Sequence, residues 1–259
     1  MKNIIYYFTG SGNTLAIAKD LAKVIKDTEL VRITKKNEDG LDGSAYESVG
    51  FVFPVYFCGI PAMVWKFIKN LNINSGAYLY AVGNYGGQID LGFHQIEKLL
   101  KKKNKSLSGS FGIIMPGNYQ IMYELDSPEK ISKKLEDEKL LTLEIGKKIM
   151  AKEEVIPENV GVATVLKGYI IYKFFKPYKM DKNFWINDKC NSCGLCKKIC
   201  PAENIRMVGN RPKWNHQCEQ CLSCLHFCPK AAIQYRRGTM KRGRYRHPDV
   251  SAKELIIKR

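Results

Sequence analysis

The stretch that decides the fold runs from Lys2 to Ile25 and reads KNIIYYF-TGSGNT-LAIAKDLAKVI. Its first seven residues, Lys2–Phe8, form a short apolar run without alternation, the pattern of a parallel strand buried on both faces. Leu15, Ala18, Leu21, Ala22 and Ile25 then recur at helical spacing. Between them, Thr9-Gly10-Ser11-Gly12-Asn13-Thr14 carries hydroxyls and an amide but no Lys or Arg. Strand, small-residue loop and helix together present backbone N–H groups to a phosphate. A dianion held there is neutralised by hydrogen bonds and the helix dipole alone. The run is not a P-loop, which needs a lysine after the second glycine. Nor is it G-x-G-x-x-G, since Leu15 stands at the last glycine position. An ordinary capping turn is the plainer alternative.

The same alternation continues outward. Leu30–Ile33 reads as a second strand and Asn37–Ser48 as a polar connection. Val49–Val55 is a third strand, followed by Pro54-Val55-Tyr56-Phe57-Cys58-Gly59-Ile60-Pro61, with Pro61 opening a helix to Leu71. Ala77–Gly83 is a fourth strand leading into Asn84-Tyr85-Gly86-Gly87, and a helix spans about Gly92–Lys103. Gly109–Met115 is a fifth strand, followed by Asn118 and Tyr119, and a long helix covers about Pro128–Lys152. Five such units predict an α/β, doubly wound parallel sheet in the order 2-1-3-4-5. A ligand then sits outside the carboxyl ends of the strands, at the switch point. TGSGNT after a first strand resembles the phosphate loop of flavodoxins, which implies FMN. On that resemblance the cofactor contacts are Thr9–Thr14 (Thr9, Gly10, Ser11, Gly12, Asn13 and Thr14), Pro54, Val55, Tyr56, Phe57, Gly59, Gly83, Asn84, Tyr85, Gly86, Gly87 and Asn118. Tyr56, Phe57 and Tyr85 would offer flat walls; Gly59, Gly86 and Gly87 would admit backbone to the ring edge.

The second signal is a cysteine pattern written twice. Cys190, Cys193, Cys196 and Cys200 precede Pro201; Cys218, Cys221, Cys224 and Cys228 precede Pro229. Each copy reads C-x2-C-x2-C-x3-C-P, the ligand run of bacterial two-cluster ferredoxins, in which the fourth cysteine serves the other cluster. The expected sets are Cys190, Cys193, Cys196 with Cys228, and Cys218, Cys221, Cys224 with Cys200. Zinc knuckles place four ligands on one knuckle pair, and disulfides need an oxidising compartment; both fit the double run poorly. Phe184–Ile186 and Ile205–Val208 flank the first run as short hairpin strands, and Pro212–Asn215 and Ala232–Tyr235 flank the second. This is an internal repeat of about 28 residues, and a small α+β two-[4Fe–4S] ferredoxin domain. His216 and His226 read as neighbours of the clusters rather than ligands. Cys58, the ninth cysteine, reads as a small buried hydrophobe.

The expected division is 1–153 for the FMN domain, 154–183 for a linker, 184–236 for the ferredoxin domain and 237–259 for a basic tail. Within the linker, Val160–Phe175 reads as an amphipathic helix that docks the ferredoxin part on the flavin part. Lys167 and Lys173 argue against a membrane span, and the start MKN against a signal peptide. A reducing, cytoplasmic and oxygen-poor setting follows. The 259 residues carry a net charge of +17. Residues 236–259 hold nine Lys/Arg against two acids, a net of +7. That tail could be solvated surface, a dock for an acidic redox partner protein, or a wrap around the flavin domain. No nucleic-acid module accompanies it.

TGSGNT, PVYFCGIP, MPGNY, the doubled cysteine run and RGRYRHP together resemble the flavodoxin–ferredoxin fusion proteins of anaerobic bacteria and archaea, often labelled the EFR family of ferredoxin-like proteins. The resemblance implies a low-potential electron-transfer protein passing electrons between two [4Fe–4S] clusters and FMN. The alternative is a flavin-dependent oxidoreductase that reduces a small organic substrate with electrons from the clusters, with Tyr85, Tyr119 or His94 as proton donor. A redox sensor acting through the tail, or a nicotinamide reductase, has less behind it: no dinucleotide fingerprint is present.

Overall fold

The computed structural model describes residues 2–87, 91–156 and 161–257. Val160, where the linker helix was expected to begin, and residues 258–259 of the tail lie outside them. The chain divides into two units, and the division does not follow chain order. The first is Met1–Thr9, Thr14–Pro116 and Pro128–Phe175; the second is Gly10–Asn13, Gly117–Ser127 and Lys176–Arg259.

In the first unit, β1 (Asn3–Tyr7), α1 (Asn13–Ile25), β2 (Thr28–Arg32), β3 (Asp42–Gly43), β4 (Ser48–Pro54), α2 (Ala62–Asn70), β5 (Asn72–Ile73), β6 (Tyr78–Tyr85), α3 (Gly92–Lys101), β7 (Gly109–Ile114), α4 (Pro128–Met150) and α5 (Val162–Phe174) follow one another. The five-stranded sheet has the order β2-β1-β4-β6-β7 and is parallel throughout. That is the expected flavodoxin-like order, with the two-residue ladder β3–β5 set aside. The polar connection after β2 thus contains one short strand that was not expected.

Every residue of β1 and β4 is buried, which explains their continuous apolar runs. Side-chain size is matched across the ladder. Gly50 of β4 stands opposite Tyr80 of β6, and a Cβ on Gly50 would lie 2.3 Å from the Tyr80 ring. The tyrosine therefore fills the space that glycine leaves, and its phenol is fully buried. α1 lays Leu15, Ala18, Leu21 and Ile25 into the core, as the spacing requires, with Ile17 buried beside them, whereas Ala22 is only half-buried.

α5 departs from expectation. Its apolar residues are not confined to one face: only Gly168 is buried, while Val162, Leu166, Ile170 and Phe174 are exposed. Within its own unit it rests on Leu91 through Gly168 and on Ile60 through Tyr172, whose hydroxyl donates to the Ile60 carbonyl at 2.7 Å.

The second unit contains α6 (Pro177–Met180), β8 (Phe184–Ile186), α7 (Leu195–Ile199), β9 (Ile205–Val208), β10 (Arg211–Trp214), α8 (Ser223–His226) and β11 (Ile233–Tyr235). All four expected strands form, but they pair differently from the hairpins around each run. β8 pairs antiparallel with β11, and β9 with β10. The strand entering the first cysteine run is closed by the strand leaving the second, so each half completes the other. Phe184 stacks on Trp214 (centroids 5.2 Å apart) and meets Tyr235 edge-on at 5.0 Å, fastening the two ladders.

Candidate functional site

Two strand ends and the first turn of α1 are tied together in the first unit by one amide. Asn84 Nδ2, at the end of β6, donates to Thr14 Oγ1 at 2.7 Å and to the Phe53 carbonyl at 3.1 Å. Val55 N–H in turn donates to Asn84 O at 2.9 Å. Thr9, Thr14 and Asn84 are all buried polar residues at the carboxyl ends of the sheet. Gly83 lies inside β6 itself, opposite Phe53 and Gly112, rather than in the following loop.

The loop after β4 is a tight hairpin closed by two Tyr56–Gly59 backbone hydrogen bonds, of 2.7 and 3.0 Å. Its two central residues, Phe57 and Cys58, both have left-handed backbones, with φ of 46° and 70°. Neither residue favours that region, so the turn is strained, and strain of this kind gathers at functional sites. Its surroundings hold it in place. Leu91 N–H donates to Cys58 O at 2.8 Å, Ile60 N–H donates to Gln95 Oε1 at 2.8 Å, and Phe57 stacks on Phe175 with centroids 4.0 Å apart. A Cβ on Gly59 would meet Tyr172 at 2.6 Å, so that glycine makes room for a tyrosine from α5. Tyr85 similarly covers Gly112, while nothing lies within 4 Å of the side-chain position of Gly87. Of the two glycines Gly59 and Gly87, Gly87 leaves the more open approach.

In the second unit the small-residue loop Gly10–Asn13 meets Asn118, whose Nδ2 donates to Ser11 Oγ at 2.6 Å. Gly12 has φ of 107°, a conformation that requires glycine. Hydroxyls, backbone N–H groups and a required glycine form a donor set that suits the phosphate of FMN. Tyr119 is half-buried, and the burial of its hydroxyl pushes the phenol well above the ordinary range. His94 stands edge-on to Tyr169 in the first unit.

The eight thiols fall into two groups. Cys196 lies within electrostatic reach of Cys228, Cys193 and Cys190; Cys218 lies within reach of Cys221 and Cys200, and Cys224 of Cys218, Cys200 and Cys221, with Cys196 of the other group as its weakest neighbour. A cavity is lined by Cys200, Cys218, Cys221 and Cys224 with Phe184 and Trp214. Burial, with the neighbouring thiols adding to it, pushes Cys196 to about 11 and raises Cys218 and Cys224. A metal bound there would have to displace protons from these thiols. Among the described residues, no three of the donors close on a point as ligands of a single ion do. Gln220, between Cys218 and Cys221, is buried with neither amide atom hydrogen-bonded by protein.

The repeat extends to the backbone. Ser192, Gly194 and Glu203 have left-handed φ of 60°, 68° and 48°; Gln220, Leu222 and Ala231, each 28 positions on, have 55°, 58° and 44°. The N–H of Asn204 donates to Cys200 Sγ at 3.4 Å, and that of Ala232, again 28 positions on, to Cys228 Sγ at 3.3 Å. N–H···S bonds of this kind tune a cluster's potential.

Four residues of this unit were not singled out as site residues from sequence, or were read differently. Asp181, buried, accepts from Asn204 Nδ2 (2.9 Å) and His216 N–H (3.0 Å) and meets His216 Nδ1 at 2.7 Å. His226 is 1% exposed, and burial pushes its imidazole down to about 4. Its Nδ1 accepts from Tyr245 N–H, so the proton on Nε2 is donated to Asn118 O at 2.8 Å. Tyr245 and His247, taken as part of a charged tail, are 4% and 1% exposed. The tail is thus in part a packed element, anchored by Arg244, whose guanidinium donates to the carbonyls of Thr239, Arg242 and Ile233.

A parallel sheet of flavodoxin order and a doubled set of cluster-type cysteines define a class: the electron-transfer proteins. Residues 4–113 match the family model of the flavodoxin domain, and residues 184–206 match that of the 4Fe-4S binding domain. The chain is a fusion of a flavodoxin domain and a 4Fe-4S ferredoxin domain. A polyferredoxin-like protein of Methanocaldococcus jannaschii is 44% identical over 48 residues, which are 18% of this chain and 21% of that protein. The chain therefore spans about a fifth of the length of the curated relative it matches. Similar solved structures include a flavodoxin of Streptococcus pneumoniae TIGR4 (15% identity, 56% of this chain and 99% of that one, TM-score 0.36). Another is the two-electron reduced flavodoxin of Megasphaera elsdenii (15%, 56% and 98%, TM-score 0.36). Rubredoxin oxygen:oxidoreductase of Desulfovibrio gigas is matched over about a third of its length (14%, 58% and 36%, TM-score 0.37). Among the described residues, no helix is long and apolar enough to cross a membrane.

Proposed function

We propose that this chain is a low-potential electron carrier of anaerobic metabolism, holding two [4Fe–4S] clusters and one FMN and passing electrons among them. When bound, the clusters exchange single electrons and the flavin one or two; the protein positions and tunes them. Cys190, Cys193, Cys196 and Cys228 would hold one cluster, and Cys218, Cys221, Cys224 and Cys200 the other. Thr9–Thr14 would take the FMN phosphate, with Pro54–Phe57, Gly59, Gly83–Gly87 and Asn118 about the rest of the ligand. Joining the centres in one chain makes transfer intramolecular.

The observation that carries the reading is the 28-residue repeat of left-handed residues and N–H···S bonds, because it gives both cysteine runs the same local backbone. The family match covers only the first run; the second is supported by this likeness. Exposed Lys198, Arg206, Arg211 and Lys213 would favour an acidic redox partner. The test is rapid mixing of the oxidised holoprotein with a one-electron reductant under anaerobic conditions. Flavin bleaching that follows cluster bleaching at a rate independent of protein concentration is expected. A rate proportional to protein concentration would overturn the relay.

A further inference from the structure

The loop Gly10–Asn13 is backed by residues more than a hundred positions along the chain, all within its own unit. Ser223 Oγ donates to Gly10 O at 2.6 Å, and His247 N–H donates to Ser11 O at 3.0 Å. Tyr245 Oη donates to Asn13 Oδ1 at 2.8 Å. Ser223, Tyr245 and His247 are 1%, 4% and 1% exposed, so water does not compete for these bonds.

Their effect follows from peptide geometry. In a trans peptide the C=O and the next N–H point in opposite directions. A donor fixed on Gly10 O therefore turns the Ser11 N–H to the opposite side of the loop, and a donor on Ser11 O does the same for the Gly12 N–H. Successive N–H groups turned to one side make an anion-binding concavity. Ser11 Oγ accepts from Asn118, which leaves its own proton to donate. Asn13 turns its carbonyl to Tyr245 and hence its NH2 away from it. The fit is close: a Cβ on Gly12 would lie 3.0 Å from the Cβ atoms of both His247 and Val250.

We propose that Ser223, Tyr245 and His247 are positioning residues that hold this loop in the form that takes a phosphate monoester. The segment around Tyr245 and His247 is then a brace for the loop rather than a free docking arm. Ser223 lies between Cys221 and Cys224, so the loop is braced from within the second cysteine run. The proposal rests on the reading of the loop as the FMN phosphate site.

The test is titration of FMN, and separately of riboflavin, which lacks the phosphate, into the full chain with flavin removed and iron retained. Quenching of flavin fluorescence reports binding to wild type, Ser223→Ala and Tyr245→Phe. Loss of one buried hydrogen bond is expected to weaken FMN binding about three- to tenfold. Riboflavin affinity should stay within about twofold, since the ring contacts are untouched. Unchanged FMN affinity in both variants overturns the proposal, as does an equal loss for both ligands, which marks general loosening. Wild type that takes up neither flavin overturns the FMN reading itself, a different result from wild type that binds FMN as well as its variants do. If Tyr245→Phe fails to fold, Ser223→Ala decides the matter alone.

Discussion

Asp181→Ala tests how the second cysteine run is held. The buried carboxylate accepts from Asn204 Nδ2 and His216 N–H at 2.9 and 3.0 Å. Asn204 Oδ1 in turn accepts from the N–H groups of Asn215 (3.1 Å) and Gln217 (2.6 Å), so the network fixes the chain that enters Cys218. Removing the carboxylate leaves two donors without an acceptor, at about 1–3 kcal/mol each. The His216 side chain is 67% exposed and can turn to water, so its ion pair contributes little to the sum. The total is about 2–6 kcal/mol. Because cluster loss is irreversible, the readout is a rate: the decay of cluster absorbance under an iron chelator in anaerobic guanidinium. If only 1.4 kcal/mol reaches the opening step, decay accelerates about tenfold. Asp181→Asn keeps one acceptor and should fall between wild type and Asp181→Ala. A decay rate for Asp181→Ala within a factor of about two of wild type would refute the reasoning.

Other outcomes follow from the same geometry. In the double variant Cys190→Ser/Cys228→Ser, crossed ligation removes one cluster and leaves about four irons per chain, whereas ligation within each run would remove both; iron analysis distinguishes them. Glu38 offers a pH test. Burial opposes its ionisation, but Lys35 and Lys66 outweigh burial and hold its carboxyl below the ordinary 4.5. The resulting stability is fully present above 4.5 and is lost as pH falls through the lower folded-state value. Glu38→Gln should cost about 1 kcal/mol at neutral pH by thermal unfolding, and the difference from wild type should close in acid.

Much of the fold is legible because its signals are local. KNIIYYF and VGFVFPV are continuous apolar runs since parallel strands bury both faces, and each is followed by a loop and a helix with its own period. The cysteine spacing is local as well. What escapes the sequence is set by contacts distant along the chain. Ser223 and Tyr245 meet Gly10 and Asn13 across 213 and 232 positions, and no periodicity marks either residue. Gly59 and Phe57 read as flavin contacts because their loop resembles one; Tyr172 and Phe175, which pack there, come from the end of a helix whose apolar residues show no single face and from the residue just after it. The pairing of β8 with β11 is equally silent, because four short strands of similar composition can pair in more than one way.

The most direct measurement is the iron, acid-labile sulfide and flavin content of the chain purified without oxygen. The account predicts about eight irons, about eight sulfides and about one FMN per chain. Zinc in place of iron, about four irons, or no FMN would contradict it.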